Sequence, residues 1–129
     1  MTHHRFLTGL KISLWAGAAY DVIFAATMVL IPELAAELMG IRLPGEPFYL
    51  WLIAVFLLML AGFYGLAAYD PVAYRGNILI CIAGRGLGFG AMVLGAWTAE
   101  PPMPVLYLMA GGDLFFALWT LSMWLPMRR

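Results

Sequence analysis

The chain has 129 residues, 64% hydrophobic and 11% charged, with seven basic against seven acidic side chains. A soluble domain carries about 25% charged residues. The shortfall, with a mean hydropathy of +0.92, excludes an ordinary water-soluble enzyme, and zero net charge gives no electrostatic footing for nucleic acid.

Four apolar segments follow one another, and together they make residues 1–129 a single integral membrane domain. The first runs from about Leu10 to Ile31 and stops at Pro32. The second runs from about Phe48 to Tyr69 and stops at Asp70-Pro71. The third covers about Asn77 to Ala99, and the fourth about Met103 to Leu125. A hydrocarbon core of roughly 30 Å needs about 20 helical residues, so each run is long enough to span it. Spanning backbone must satisfy its own hydrogen bonds, which makes these runs helices. The first run is too long for a signal-peptide core and contains Asp21, so it reads as a retained helix. Between the first two runs, Pro32 suits a helix start and Gly40 a helix stop. Glu33 and Glu37 share one face there, and Leu34 and Leu38 another, which predicts a short amphipathic helix on the outer surface. Pro44-Gly45-Glu46-Pro47 then turns the chain into the second span. The remaining loops are short, so the fold expected is an all-α, four-helix up-down bundle with the lipid bilayer as its first partner.

Lys and Arg set the orientation. Arg5, Lys11, Arg75, Arg128 and Arg129 fall on one side of an alternating bundle, and Arg42 alone on the other beside Glu33, Glu37, Glu46 and Glu100. By the positive-inside rule this predicts a multi-pass protein of a bacterial inner membrane with both termini cytoplasmic. Aromatic belts agree. Phe48, Tyr49, Trp51, Trp97 and Tyr107 mark the outer interface, and Trp15, Tyr69, Tyr74 and Trp124 the inner one.

Three ionisable residues interrupt the apolar runs: Asp21, Arg85 and Asp113. Charge at such depth costs roughly 2.5–3.5 kcal/mol per residue on insertion scales and normally faces a bundle interior. At 1.5 Å per residue all three lie roughly 13–18 Å from the inner boundary, in one layer. Two acids share matched settings, Ala18-Ala-Tyr-Asp21-Val-Ile-Phe24-Ala25 and Ala110-Gly-Gly-Asp113-Leu-Phe-Phe116-Ala117. Helix adjacency suggests a line Arg85–Asp113–Asp21 across the bundle. Two carboxylates against one guanidinium leave one negative charge over, so one Asp should hold a proton, a cation or a partner's side chain.

The third run contains Gly84-Arg85-Gly86-Leu87-Gly88-Phe89-Gly90. A nucleotide fingerprint needs a strand-to-helix turn, which a mid-membrane helix cannot offer. Gly84, Gly88, Ala91 and Gly95 instead fall on one helical face and predict a small-residue packing seam. Gly86 and Gly90 form a shorter second seam, suited to another neighbour or a second protomer.

Other chemistries find little support. Cys81 is the only cysteine, so there is no thiol pair for redox work. His3 and His4 lie outside the spans, which leaves haem and di-iron sites without ligands, and no metal site is expected. Asp70-Pro71 with Arg75 reads as a helix-stop turn. The nine methionines read as apolar filler, with no grouping along the chain that suggests a copper relay.

Pro32-Glu-Leu-Ala…Leu38-Met-Gly40, Ala61-Gly-Phe-Tyr-Gly-Leu-Ala-Ala-Tyr-Asp70-Pro71 and the glycine-rich third run together resemble the small bacterial four-helix membrane proteins grouped as DoxX-like, over nearly the whole chain. That resemblance implies a four-helix membrane fold and, for some members, association with quinol-oxidase or redox complexes. It carries no site residue onto this sequence. Small multidrug carriers use a Glu in a different context, and fluoride channels need a polar signature this chain lacks.

The resulting expectation is a non-enzymatic membrane protein, an accessory or oligomeric subunit held by the Asp21/Arg85/Asp113 cluster, with a homo-oligomer or larger membrane complex as partner. The alternative is a proton-coupled or small-ligand carrier that uses the unpaired Asp on a small hydrophobic or cationic ligand. No cofactor is specified by the sequence.

Overall fold

The computed structural model describes residues 2–128; Met1 and Arg129 lie outside the described residues, and with Arg129 half of the basic C-terminal pair. Five α-helices follow in order: α1 (Thr2–Leu30), α2 (Pro32–Met39), α3 (Pro47–Tyr69), α4 (Arg75–Thr98) and α5 (Val105–Trp124), then a 3-10 turn over Leu125–Arg128. Four of them, α1, α3, α4 and α5, are long and apolar enough to cross a membrane. Large apolar side chains such as Ile23, Phe56, Leu87, Trp97 and Leu108 point outward all round the bundle. In water such a surface would associate; in lipid it is solvated.

Helix α1 begins well before the apolar run, because apolarity marks the span while nothing in Thr2–Gly9 breaks a helix. Its 29 residues make a rod of about 43 Å, longer than the hydrocarbon core. Helix α2 is the amphipathic segment between Pro32 and Gly40. Gly40 closes it in the left-handed conformation at φ 68° and donates its N–H to the Ala36 carbonyl, a backbone state that glycine adopts at no cost. Asp70 ends α3, and its Oδ1 accepts the N–H groups of Val72 at 3.1 Å and Ala73 at 3.0 Å. That side chain therefore shapes the turn into α4.

The spans form an up-down ring. The most extensive contacts run between α1 and α3 and between α4 and α5; α1–α5 and α3–α4 contacts close it. The end carrying Thr2, the Asp70 turn and Arg128 is termed basal, and the end carrying α2 and the α4–α5 loop apical. The tight apolar core is basal, built from Leu10, Leu14, Tyr64, Ala67, Ile78, Cys81 and Trp124. Trp124 is buried in it and does not join a lipid-facing belt, whereas Trp15, Tyr69, Trp97 and Tyr107 are exposed. At the apical end Arg42 Nη1 donates to the Pro101 carbonyl at 2.6 Å and ties the two apical loops together.

Candidate functional site

Asp21 on α1, Arg85 on α4 and Asp113 on α5 meet inside the bundle, with exposures of 0%, 4% and 8%. Each arrives there by its helical face. Ala18 and Ala25 flank Asp21 one turn either way, and Ala110 and Ala117 flank Asp113; all four alanines are buried. The matched settings are thus the core-facing stripes of α1 and α5, and small side chains there let α4 approach.

The order of the three charges differs from the line expected. Arg85 is central. Its Nη1 donates to Asp113 Oδ1 at 2.9 Å, and its Nη2 lies 3.0 Å from Asp21 Oδ1. The long guanidinium fork reaches between two short carboxylates, which an Asp in the middle could not do. Its remaining donors are directed: Nε donates to the Tyr64 hydroxyl at 2.7 Å and Nη2 to the Gly17 carbonyl at 3.1 Å. The rings of Tyr20, Tyr64 and Phe116 surround the guanidinium carbon at 5.1–5.2 Å from their centroids. Aromatic faces replace part of the hydration that the cation has lost.

The two acids are unequal. Asp113 accepts a well-aligned charge-assisted bond. Asp21 Oδ1 forms an ion pair with Nη2 at 3.0 Å, a nitrogen that also donates to the Gly17 carbonyl, and neither Asp21 oxygen has an aligned hydrogen bond. A fully buried carboxylate held by an ion pair alone, with no aligned hydrogen bond, is less well compensated than one that has both. Of the two acids that share Arg85, Asp21 is the less fully satisfied.

Two glycines make the arrangement possible. A Cβ on Gly88 would stand 2.6 Å from Asp113 Oδ2, and one on Gly17 would stand 2.9 Å from the Tyr64 ring. Of the seam expected on α4, Gly84 faces Leu60 and Gly95 faces Leu106. Ala91 is exposed and takes no part. Gly86 and Gly90 face outward with open space beside them.

A cavity of about 190 Å³ adjoins the layer, with Asp21, Arg85 and Asp113 on its wall beside Tyr20, Phe24 and Leu60. A second cavity, about 290 Å³, lies toward the apical loops and reaches Arg42 and Pro44. The two share Phe24, Met92 and Met109, so these side chains separate an apical vestibule from the charged chamber. Met28, Met92, Met103 and Met109 all line the vestibule. Chain order scatters them over α1, α4, the α4–α5 loop and α5, so only folding groups them. Thioethers on unbranched stems are adaptable walls.

Sequence reasoning missed Tyr64 and the Gly17 carbonyl. A tyrosine in an apolar run reads as an interface anchor, yet Tyr64 is 1% exposed. Its setting in Ala61-Gly62-Phe63-Tyr64-Gly65, rich in small residues, was the available signal. The pairing of the buried Ser13 and Thr120 hydroxyls at 3.2 Å, which joins α1 to α5 below the charged layer, was also missed. No group of three or more His, Cys, Asp or Glu able to hold a metal occurs among the described residues.

No family model matches the chain, and no curated protein or solved structure matches it at a significant level.

Proposed function

We propose that this chain is a small-ligand or proton-coupled carrier whose binding group is Asp21. The observation that carries the reading is a fully buried carboxylate that shares one guanidinium with a second acid and has no aligned hydrogen bond, on the wall of a chamber that adjoins an apical vestibule. The layer holds two acids and one base, so a bound proton or a monocation restores neutrality. Arg85 lies 3.0 Å from Asp21 and 2.9 Å from Asp113, and one carboxylate is enough to balance it. The chamber, at about 190 Å³, is slightly larger than an apolar cavity of ~150 Å³ that admits benzene. A compact amine with an aromatic or branched apolar body fits in size, in charge and in its N–H donors.

Benzylammonium is a suitable probe, with toluene and benzoate as neutral and anionic counterparts. In detergent, benzylammonium should raise the Tm of the wild-type protein and leave that of Asp21→Asn unchanged, while the counterparts do neither. Equal stabilisation by toluene, or an undiminished response in Asp21→Asn, would overturn the assignment.

The accessory-subunit reading has its own support in Gly86 and Gly90, which give α4 a shallow outward strip. Close helix–helix contacts use such strips. Gly86→Leu with Gly90→Leu should dissociate an oligomer that uses it, measured by mass in nanodiscs. The bias of Arg5, Lys11, Arg75 and Arg128 toward the basal end supports a cytoplasmic basal face in a bacterial inner membrane. The DoxX-like resemblance is in keeping with either reading.

A further inference from the structure

The basal end carries a third cavity, which the carrier reading does not use. It measures about 330 Å³ and is walled by Arg75, Arg128, Trp124, Leu10, Leu79 and Pro71 among others. Arg75 is the first residue of α4, and Arg128 closes the 3-10 turn that follows α5. The turn brings Arg128 over the Trp124 ring, with the guanidinium carbon 4.7 Å from its centroid. Two arginines from separate elements therefore border one depression at the level where the spans leave the bilayer.

Neither arginine is neutralised among the described residues. Both ion pairs found there belong to Arg85. The basal acid, Asp70, has its Oδ1 engaged by two backbone N–H groups of its own turn. Arg5 and Lys11 add positive charge at the same end. The cavity is thus basic at its mouth, while its floor is apolar, with Leu10 and Trp124 buried and Leu79 turned outward.

We infer that this basal cavity binds the phosphate of an anionic phospholipid headgroup between Arg75 and Arg128, with the lipid's chain lying against Leu79. The shared chemistry is a phosphate oxygen meeting planar guanidinium forks. A free phosphate would gain those bonds but would be desolvated against an apolar floor. A phospholipid brings its own apolar part to that floor and is present at the required depth. Basic pockets between spans are known headgroup sites in general.

The test uses the full chain in a neutral detergent, with dioleoyl phosphatidylglycerol, dioleoyl phosphatidylcholine and inorganic phosphate as separate probes. Native mass spectrometry reads the bound lipid, and Tm reads the protection it gives. Phosphatidylglycerol should bind in preference to phosphatidylcholine, and inorganic phosphate at equal concentration should not protect. Arg75→Gln with Arg128→Gln should weaken phosphatidylglycerol binding by at least about 10-fold, the loss of one charge-assisted hydrogen bond to the phosphate. Arg5→Gln with Lys11→Gln, which removes the same charge from the same end outside the cavity wall, should weaken it far less. Exposed Arg75 and Arg128 make misfolding a small concern, and the wild-type competition between lipids needs no variant. Equal binding of the two lipids, equal losses in the two double variants, or full protection by inorganic phosphate would each overturn the inference.

Discussion

Gly88→Ala is the sharpest test of the buried layer, because one methyl group is aimed at one oxygen. The added Cβ would lie 2.6 Å from Asp113 Oδ2 and 3.5 Å from its Cγ. The carboxylate cannot keep its position, and its other oxygen is the acceptor for Arg85 Nη1 at 2.9 Å. Stretching or breaking a buried charge-assisted hydrogen bond costs about 1.5–3 kcal/mol. Replacing Gly by Ala inside a helix returns about 0.8–1 kcal/mol. The net expectation is a loss of about 1–2 kcal/mol, an order-of-magnitude figure from those two ranges. Gly90→Ala is the matched control. It sits two residues on in the same helix with open space beside it, so it should keep the propensity gain and lose nothing. The two variants should differ by roughly 2 kcal/mol, or about 30-fold in the unfolding equilibrium. Reversible unfolding in mixed micelles, followed by helicity, measures the difference. A Gly88→Ala protein as stable as Gly90→Ala would show that Asp113 is not held where the geometry puts it.

Asp21→Asn should fold with a stability within about 1 kcal/mol of wild type, since it leaves Arg85 and Asp113 as a balanced pair, and Asp113→Asn should cost more; the ranking of their unfolding midpoints checks this. Arg85→Gln leaves two buried carboxylates without a cation and should cost about 3–5 kcal/mol, seen as loss of a monodisperse folded peak in detergent. Tyr64→Phe strands the Arg85 Nε–H that now reaches the hydroxyl at 2.7 Å. It should cost about 1–3 kcal/mol by the same unfolding assay, with no change in overall helicity.

The spans, the α2 helix and the shared level of Asp21, Arg85 and Asp113 were legible in the sequence. Apolar run length is set by the bilayer, and residue number converts to depth through a fixed rise. The neighbours of Arg85 were not legible. Which side chain the fork reaches depends on helix rotation and on backbone approach at Gly17 and Gly88, and hydropathy is blind to both. Tyr64 shows the same limit. Its burial follows from the missing side chain at Gly17 on a different helix, with the Tyr64 ring 2.9 Å from where that Cβ would be. Ala91 shows the converse. It shares a helical face with Gly84, Gly88 and Gly95 by sequence spacing, yet it is exposed.

The bundle is asymmetric along its axis, and that bears on what Asp21 can do. Apically, two cavities meet at Phe24, Met92 and Met109, side chains able to change rotamer without moving a helix. Basally, the path below the charged layer is filled by Leu10, Leu14, Ile78 and Trp124, and Tyr64 joins that core to Arg85. Rotamer motion alone therefore serves binding from the apical side, while passage across the membrane requires the two hairpins to part at the basal core. In lipid that separation forfeits packing and the Tyr64 and Ser13–Thr120 hydrogen bonds, not apolar burial from water. The contacts between α1 and α5 and between α3 and α4, fewer than those within the hairpins, are where such parting would occur. A receptor for the ligand needs none of this motion; a carrier needs Arg85 to hold both hairpins in one state and release one of them in the other.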